Sequence, residues 1–129
     1  MRVAIVGSRT ITDLDYVLDG LNKLIEDGVL PHESKWTAIV SGGAAGVDTL
    51  AKHVAIGNDI ELIEFHANWE KHGKSAGFIR NNLIVSNCDV LVAFIQNNSK
   101  GTAHSINRAR MWNIPTYVFS DWSKDYVSK

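Results

Sequence analysis

The chain contains one cysteine, two prolines and no long apolar run. The single cysteine, Cys88, cannot form a disulfide within the chain, and its apolar neighbourhood indicates a buried, reduced side chain, as in intracellular proteins. No stretch approaches the roughly 20 apolar residues of a membrane-spanning helix. The apolar run at residues 3–6 is too short for the core of a signal peptide. We therefore expect a soluble cytoplasmic protein with no membrane partner.

The sequence also lacks an excess of either charge. Thirteen Lys and Arg residues stand against fourteen Asp and Glu residues, for a net charge of −1 at pH 7. Without a positive excess the chain lacks the broad basic surface that binds duplex DNA or anionic membranes. The net charge does not exclude a local basic pocket. Its 45% hydrophobic and 21% charged residues are typical of a globular domain, and we expect one domain over residues 1–129.

Several motifs of metal, cofactor and catalytic chemistry are absent. The five histidines show no metal-ligand spacing, so we expect no metal site. The turns contain neither a Walker A sequence nor the G-x-G-x-x-G fingerprint of dinucleotide-binding proteins, so we expect no nicotinamide, flavin or other cofactor. No nucleophile-elbow pattern is present, and the motifs indicate no catalytic residue.

A glycine-rich turn at residues 41–48, Ser-Gly-Gly-Ala-Ala-Gly-Val-Asp, is the most distinctive feature that is present. An apolar run precedes it and a helical pattern of apolar residues follows it. Glycine lets a ligand approach the backbone, and the first N–H groups of a helix are unpaired and carry partial positive charge. This arrangement favours a bound phosphate. The alternative is an ordinary turn, in which Asp48 is only an acid well placed in a first helical turn.

Apolar runs and helical patterns alternate along the chain, which predicts an α/β fold. The predicted strands are residues 2–6, 36–40, 60–65, 89–95 and 115–119. The first predicted helix runs from residue 14 until Gly28, which serves as the C′ residue after its end. The other predicted helices are residues 46–57, 76–87 and 101–112, and Ile79 and Leu83 are expected to face inward. This alternation implies parallel pairing, so we predict a Rossmann-like three-layer sandwich with a mainly parallel sheet of about five strands. Residues 66–75 are predicted to form a long polar loop and residues 120–129 a polar tail.

Polar turns follow four predicted strands, at residues 7–9, 41–48, 66–75 and 96–102. The carboxyl ends of parallel strands lie at one edge of a sheet, where ligands bind at the point at which the strand order reverses. We therefore expect these turns to form one ligand site. Their coincidence carries more weight than any single motif.

Two arginines are the predicted phosphate ligands at this edge. Arg9, beside Ser8, directly follows the first strand, where a guanidinium can meet a phosphate with two hydrogen bonds; the alternative is a solvated surface arginine. Arg80 is the stronger candidate, because it lies early in a helix behind a glycine-containing stretch. Its neighbour Asn81 is predicted either to contact a base or sugar hydroxyl or to tie the loop to its own backbone.

Two further segments contribute candidates. Trp69 either stacks on a base or pins the long loop to the body of the protein. Gly101 and Thr102 open a helix much as the glycine-rich turn does, with room for backbone approach and a hydroxyl group. The full set of predicted ligand-binding residues is Gly7, Ser8, Arg9, Ser41, Gly42, Gly43, Gly46, Asp48, Trp69, Arg80, Asn81, Ser99, Gly101 and Thr102.

The combination of motifs resembles a known family. The motifs are the strand ending in Gly-Ser-Arg at residues 3–9, the turn at 41–48, Gly77-x-x-Arg80-Asn81, the strand at 89–94, and Ser99-x-Gly101-Thr102-Ala103. Together they resemble the SLOG superfamily, and most of all its small stand-alone YspA-type branch of bacteria and phages, over nearly the whole chain. The resemblance implies a Rossmann-like sheet with a nucleotide-type pocket lined by Gly7, Ser8, Arg9, Gly42, Gly43, Arg80, Gly101 and Thr102.

The chain departs from one branch of that superfamily. The LOG phosphoribohydrolases place a catalytic glutamate three residues after their Gly-Thr pair, and Ser105 occupies that position here. Serine cannot supply the carboxylate that stabilises positive charge developing on a ribose, so hydrolysis of this kind is disfavoured. The carboxylate of Asp48 is an alternative that could replace the missing glutamate. The alternative of a nucleotide-processing enzyme acting at the ribose or phosphate therefore ranks second.

The resemblance implies a protein that binds a nucleotide-derived small molecule, such as a phosphorylated nucleoside or an ADP-ribose-like or cyclic nucleotide signal. Such a protein acts as a sensor or sequestering protein, in phage or bacterial defence. The superfamily also includes the DNA-processing protein DprA, but balanced charge and few exposed aromatics lead us not to expect nucleic acid as a partner. Relatives commonly pair through helices, and Trp112, Trp122 and Tyr126 add apolar surface, so we expect a homo-oligomer.

Overall fold

The computed structural model describes residues 1–128; Lys129, the last residue of the predicted domain and polar tail, lies outside the described residues. The strands are β1 (Arg2–Gly7), β2 (Ala38–Ser41), β3 (Glu61–Glu64), β4 (Val90–Ile95), β5 (Thr116–Ser120) and β6 (Val127–Ser128). The α-helices are α1 (Leu14–Glu26), α2 (Val47–Gly57), α3 (Trp69–His72), α4 (Ala76–Ser86) and α5 (Lys100–Met111). Single 3₁₀ turns lie at Glu33–Lys35 and Gly73–Ser75.

The strands form one six-stranded sheet in the order β3-β2-β1-β4-β5-β6. All neighbours pair parallel except β5 and β6, which pair antiparallel at one edge. The prediction of an α/β fold with a mainly parallel sheet is confirmed. The sixth strand was not predicted, because two residues within a polar tail carry no alternating apolar pattern.

Both faces of the sheet are covered, which gives three layers. In β1, Val3 and Ile5 point to the face covered by α1 and α2, whereas Ala4 and Val6 point to the face covered by α4 and α5. Successive strand residues alternate between faces, so a strand buried on both sides is apolar throughout. Fully burying a side chain such as Ile5 stabilises the fold by about 1.5–3 kcal/mol.

The helices follow the predicted patterns with one exception, in α4. Ile79 and Leu83 are 37% and 43% exposed, so the prediction that they face inward is wrong; Ile84 and Val85 are buried instead. The helix carries apolar residues on both faces, and periodicity alone therefore cannot choose between them. Its rotation is consistent with Asn81, whose side-chain amide donates to the carbonyl oxygen of Gly101 in α5 at 3.1 Å.

The predicted loop and tail contain more structure than their sequences suggest. The loop at residues 66–75 holds α3 and a 3₁₀ turn, with the Asn68 side chain accepting a hydrogen bond from the Lys71 N–H at 3.0 Å. In the tail, Trp122 packs on Tyr16 with ring centroids 4.9 Å apart, and Tyr126 packs on Phe119. Trp122 and Tyr126 therefore have partners within the chain, whereas Trp112 is 43% exposed, and the homo-oligomer stays a prediction.

The single cysteine has the buried position that its apolar neighbourhood predicted. Cys88 is buried, and burial raises the pKa of its thiol to about 12. A thiol with so high a pKa carries little thiolate and is a poor nucleophile. Within residues 1–128, no helix combines the length and the apolar character that crossing a bilayer requires.

Candidate functional site

A cavity of about 460 Å³ lies at the carboxyl ends of β1 and β4, and we call it the main cavity. The strand order reverses there, because the chain runs outward from β1 through β2 to β3 on one side and through β4 to β5 on the other. A parallel sheet leaves its crevice at this switch point. The predicted candidates that line it are Gly7, Ser8, Arg9, Asp48, Arg80, Asn81, Ser99, Gly101 and Thr102.

A smaller space of about 130 Å³, the side cavity, adjoins the main cavity. Gly42, Gly43 and Trp69 line it, and Arg9 and Arg80 line both cavities. The four predicted turns therefore meet at one edge of the sheet.

Arg80 is held in place by two hydrogen bonds. Its Nη1 donates to the carbonyl oxygen of Gly42 and its Nε donates to Oδ1 of Asn81, both at 2.9 Å. Burial lowers the pKa of Arg80, the Asp48 carboxylate offsets part of that shift, and the neighbouring charge of Arg9 adds to it. An anion placed between the two arginines would relieve that repulsion.

No carboxylate among residues 1–128 lies within salt-bridge distance of either arginine. Arg9 is exposed and Arg80 is partly buried, and both side chains face the same cavities. Guanidinium groups usually find a carboxylate or phosphate when they are brought together in a crevice. The pair therefore forms a positive site in which neither guanidinium makes a salt bridge within residues 1–128, although Asp48 on the same wall offsets part of the charge of Arg80.

Asn81 favours one of its two predicted roles. The residue is 5% exposed, and its Nδ2 donates to the carbonyl oxygen of Gly101 at 3.1 Å while its Oδ1 accepts from Arg80. The same amide nitrogen lies 3.3 Å from Nδ1 of His104. With its amide engaged on both sides, Asn81 ties α4 to α5 and orients the arginine rather than facing a ligand freely.

Asp48 is a buried acid on the wall of the main cavity. It is 7% exposed, and its Oδ2 accepts a hydrogen bond from the Ala44 N–H at 3.1 Å. Burial raises the pKa of Asp48, and the hydrogen bond from the Ala44 N–H and the charge of Arg80 offset part of the rise. The carboxylate thus ties the glycine-rich turn to the first turn of α2.

The glycine-rich turn presents fewer free N–H groups than its sequence suggests. The Val47 N–H at the start of α2 donates to the carbonyl oxygen of Ser8 at 3.3 Å. Gly46 has a φ of 75°, and a Cβ there would lie 2.4 Å from that carbonyl oxygen and 2.5 Å from Cα of Arg9. Gly46 therefore serves the close contact between two backbone segments, and it lines neither cavity.

The start of α5 is the more open helix terminus. Ser99, the N-cap residue of α5, makes no side-chain cap, and within residues 1–128 the N–H groups of Gly101 and Thr102 donate to no other group. A Cβ added to Gly101 would meet nothing within 4 Å, so the space above it is open. Unpaired N–H groups and the helix dipole make this terminus available to an anion in the main cavity.

Two serines predicted in the site have structural partners. Ser8 is buried, and its Oγ accepts from the Gln96 N–H at 2.8 Å, which joins the turns after β1 and β4. Ser41 is fully buried beneath the turn, and its Oγ donates to the carbonyl oxygen of Ile5 at 3.0 Å. Ser8 keeps a place on the main cavity wall, whereas Ser41 lines neither cavity.

Several wall residues were missed from the sequence. The main cavity also includes Val6, Thr10, Ala44, Ile84, Gln96, Asn97 and Ser105, and the side cavity includes His66 and Ala67. Gln96 and Asn97 begin a turn that was already predicted to lie at this edge, and their position in that turn could have identified them as wall residues. Ile84 carried no such signal, because its place follows from the rotation of α4.

A separate cleft of about 500 Å³ lies between α1 and the segment after β5. It is lined by none of the predicted site residues; its aromatic and charged residues are Tyr16, Phe119, Trp122, Asp13, Asp15, Asp19, Lys23 and Lys124. None of the four polar turns borders this cleft, so its size alone does not make it the nucleotide site.

The chain is similar to a family of known proteins and to a phage protein. The family model of YAcAr, the YspA, cpYpsA-related SLOG family, matches residues 1–72. The Gene 61 protein of Mycobacterium phage D29 is 37% identical over 127 residues, which cover 93% of this chain and 97% of that protein.

Two solved structures share the fold. DNA processing protein A of Helicobacter pylori matches with a TM-score of 0.65 and 22% identity, over 92% of this chain and 64% of that one. DNA processing protein A (DprA) of Streptococcus pneumoniae matches with a TM-score of 0.68 and 20% identity, over 91% of this chain and 49% of that one. The chain therefore spans less than two thirds of either protein.

The expectation that nucleic acid is not a partner is wrong. The Helicobacter pylori neighbour is described for its single-stranded DNA binding mode, and this contradicts the exclusion. The sequence argument failed because net charge is summed over the whole chain, whereas the structure brings Arg9 and Arg80 together at one edge. It also assumed too few exposed aromatics, yet Trp69 is 54% exposed beside these arginines.

Proposed function

Because the chain belongs to the YspA, cpYpsA-related SLOG family, we propose that it binds a nucleotide-derived small molecule at the main cavity, with a phosphate between Arg9 and Arg80. The observation that carries this proposal is the pair of arginines without a carboxylate partner among residues 1–128. In this proposal residues 1–129 act as one nucleotide-binding domain. Its role is that of a sensor or sequestering protein, in a phage or in bacterial defence.

The phosphate would receive several charged or dipolar hydrogen bonds. Arg80 has unused N–H donors after its bonds to Gly42 and Asn81, and Arg9 makes no ion pair within residues 1–128. The open N-terminus of α5 at Gly101 adds unpaired N–H groups to the same cavity. Each hydrogen bond to a charged group contributes about 1.5–3 kcal/mol.

The remainder of the main cavity suits a nucleoside. Its volume of about 460 Å³ lies within the range of small-molecule sites. The apolar wall of Val6 and Ile84 can cover a base, and Asp48 can accept a hydrogen bond from a ribose hydroxyl. The cavity therefore offers both an anion site and a half-apolar surface.

Binding without cleavage is the favoured chemistry. Ser105, which stands where the LOG enzymes carry glutamate, is buried on the cavity wall, with its Oγ 3.5 Å from the carbonyl oxygen of Gly101. A hydroxyl there cannot carry the negative charge that stabilises an oxocarbenium-like ribose. The enzyme alternative would have to rely on Asp48, which is engaged with the Ala44 N–H.

Binding of single-stranded nucleic acid is the second candidate. Its specific support is the fold shared with a protein described for its single-stranded DNA binding mode, together with the exposed Trp69 beside the arginines. A single strand presents the same phosphate and base as a free nucleotide, and aromatic stacking tolerates any base. The main cavity would then hold one nucleotide of the strand.

Calorimetric titration separates these functions. Wild-type protein is titrated with adenosine 5′-monophosphate, ADP-ribose, a cyclic dinucleotide and an oligodeoxynucleotide, and each mixture is then analysed by chromatography. We expect binding of a free nucleotide without a product, weakened about ten- to a hundredfold in Arg9→Ala. Binding should be retained in Arg110→Ala, which removes an exposed arginine outside both cavities. Product formation would support the enzyme, and binding of the oligonucleotide alone would support the second candidate.

A further inference from the structure

The side cavity carries features that a single nucleotide in the main cavity does not use. It is open beside Trp69 and His66, and it shares Arg9 and Arg80 with the main cavity. The two arginines therefore stand at the junction of two spaces. A phosphate bound there has one cavity on each side, and only the larger is occupied by the nucleoside of the proposed function.

Trp69 is presented to solvent on a fixed support. It is the first residue of α3, and Asn68 before it caps that turn by accepting from the Lys71 N–H at 3.0 Å. A Cβ at Gly77 in α4 would lie 3.4 Å from Cη2 of the indole, so the ring rests on α4 at one edge. The side chain nevertheless stays 54% exposed, which is more than pinning the loop requires.

His66 forms another part of the wall. Its ring lies over Gly43, where an added Cβ would be 2.3 Å from Cε1, and Gly43 itself has a φ of 69°. Its Nε2 lies 3.7 Å from Oε1 of Glu64 at the end of β3. The glycine at position 43 thus makes room for an aromatic ring beside the arginines.

We propose that Trp69 and His66 form a second base-binding subsite, so that the ligand is a phosphate flanked by two nucleosides. This inference rests on the proposed function, which places the phosphate at Arg9 and Arg80. An exposed indole next to a phosphate site provides a stacking surface for the next base along a chain. A free dinucleotide and a single-stranded nucleic acid share this chemistry.

The test compares one-base and two-base probes by calorimetric titration. The probes are deoxyadenosine 5′-monophosphate, the dinucleotide 5′-phosphoryl-deoxyadenylyl-deoxyadenosine, and a short oligodeoxyadenylate. Trp69→Ala is expected to weaken dinucleotide binding about tenfold and to leave mononucleotide binding unchanged, because it removes only a stacking surface. The matched control is Trp112→Ala, an exposed tryptophan outside both cavities.

A fluorescence measurement covers the case in which Trp69→Ala does not fold. The emission of Trp69 is obtained as the difference between wild type and Trp69→Phe, which keeps an aromatic ring. The dinucleotide is expected to quench that difference, and the mononucleotide is expected to leave it unchanged. Absence of quenching by a dinucleotide that binds would overturn the subsite.

The outcomes separate the subsite from the proposed function. If Trp69→Ala weakens mononucleotide and dinucleotide equally, or weakens neither, the subsite is wrong and the proposed function stands. If wild type binds none of the probes, both fall. Two outcomes support the subsite and distinguish the ligand. If the oligonucleotide binds more tightly than the dinucleotide and with a steeper salt dependence, the ligand is a single strand. If the two bind with equal affinity, the ligand is a free dinucleotide.

Discussion

The guanidinium of Arg80 donates from Nη1 to the carbonyl oxygen of Gly42 at 2.9 Å. This bond joins the first turns of α4 to the glycine-rich turn after β2, two segments that are 38 residues apart in the chain. A side chain tied in this way has little rotamer freedom left to lose when a ligand arrives. Arg80 thus connects the architecture of the turn with the proposed anion site.

Arg80→Ala should weaken nucleotide binding about ten- to a hundredfold, since it removes charged hydrogen bonds of about 1.5–3 kcal/mol. Arg80→Lys should restore only part of the affinity, because an ammonium group cannot reproduce the planar fork. Both variants should also lose about 1 kcal/mol of unfolding free energy with the bond to Gly42. Calorimetric titration and urea denaturation measure the two effects. Unchanged affinity in folded Arg80→Ala would show that the site is misplaced.

Asn81→Ala should lower the unfolding free energy by about 1–3 kcal/mol, because it leaves the carbonyl oxygen of Gly101 and Nε of Arg80 without their partner. The neighbouring Asn82 provides the control, since its Oδ1 is buried and has no hydrogen-bond partner within residues 1–128. Asn82→Ala should therefore cost nothing or stabilise slightly. Urea denaturation of the two variants should rank them in this order, and the reverse order would contradict the assignment of Asn81.

Gly46→Ala should destabilise the protein by more than about 2 kcal/mol, because the new Cβ would clash with backbone atoms of Ser8 and Arg9 at a positive φ. The control is Gly57→Ala in the same helix, where an added Cβ meets nothing within 4 Å. That variant should gain up to about 1 kcal/mol from helix propensity and chain entropy. Thermal unfolding monitored by circular dichroism measures both. Equal melting temperatures would argue against the close backbone contact.

Asp48→Asn should raise the unfolding free energy at neutral pH. Burial raises the folded-state pKa of Asp48 above its ordinary value of 3.8, so folding favours the protonated acid. The associated stability is fully present below the unfolded pKa and is lost as the pH rises through the folded pKa. The gain of the variant over wild type should therefore vanish below about pH 4. Urea denaturation across pH tests this, with exposed Asp19→Asn as the control for loss of a charge.

Much of the fold follows from short-range patterns in the sequence. The apolar runs of β1 and β4 and the buried face of α2 predicted a parallel sheet with a crossover, and the structure confirms it. The rotation of α4 did not follow, because apolar residues such as Ile79 and Ile84 occur on both of its faces. Contacts with α5 distinguish them, among them the hydrogen bond of Asn81 to Gly101, which joins residues 20 positions apart.

The candidate site was predictable at the level of turns rather than of atoms. Arg9, Arg80 and Gly101 were predicted from their positions after strands or near helix starts, and the structure places them around one cavity. The internal hydrogen bonds of Ser8 were not visible, since its partner Gln96 lies 88 residues away in the sequence. Likewise the glycine-rich turn appeared free to bind an anion, although its Val47 N–H is already occupied.

The measurement that tests the central claim most directly is a crystal structure of the protein grown with adenosine 5′-monophosphate. Our account predicts the phosphate between Arg9 and Arg80, within about 3 Å of guanidinium nitrogens and of the N–H groups at the start of α5. The nucleoside should then occupy the main cavity. A phosphate bound elsewhere, for example in the cleft beside Tyr16 and Trp122, with both arginines left in solvent, would contradict the account.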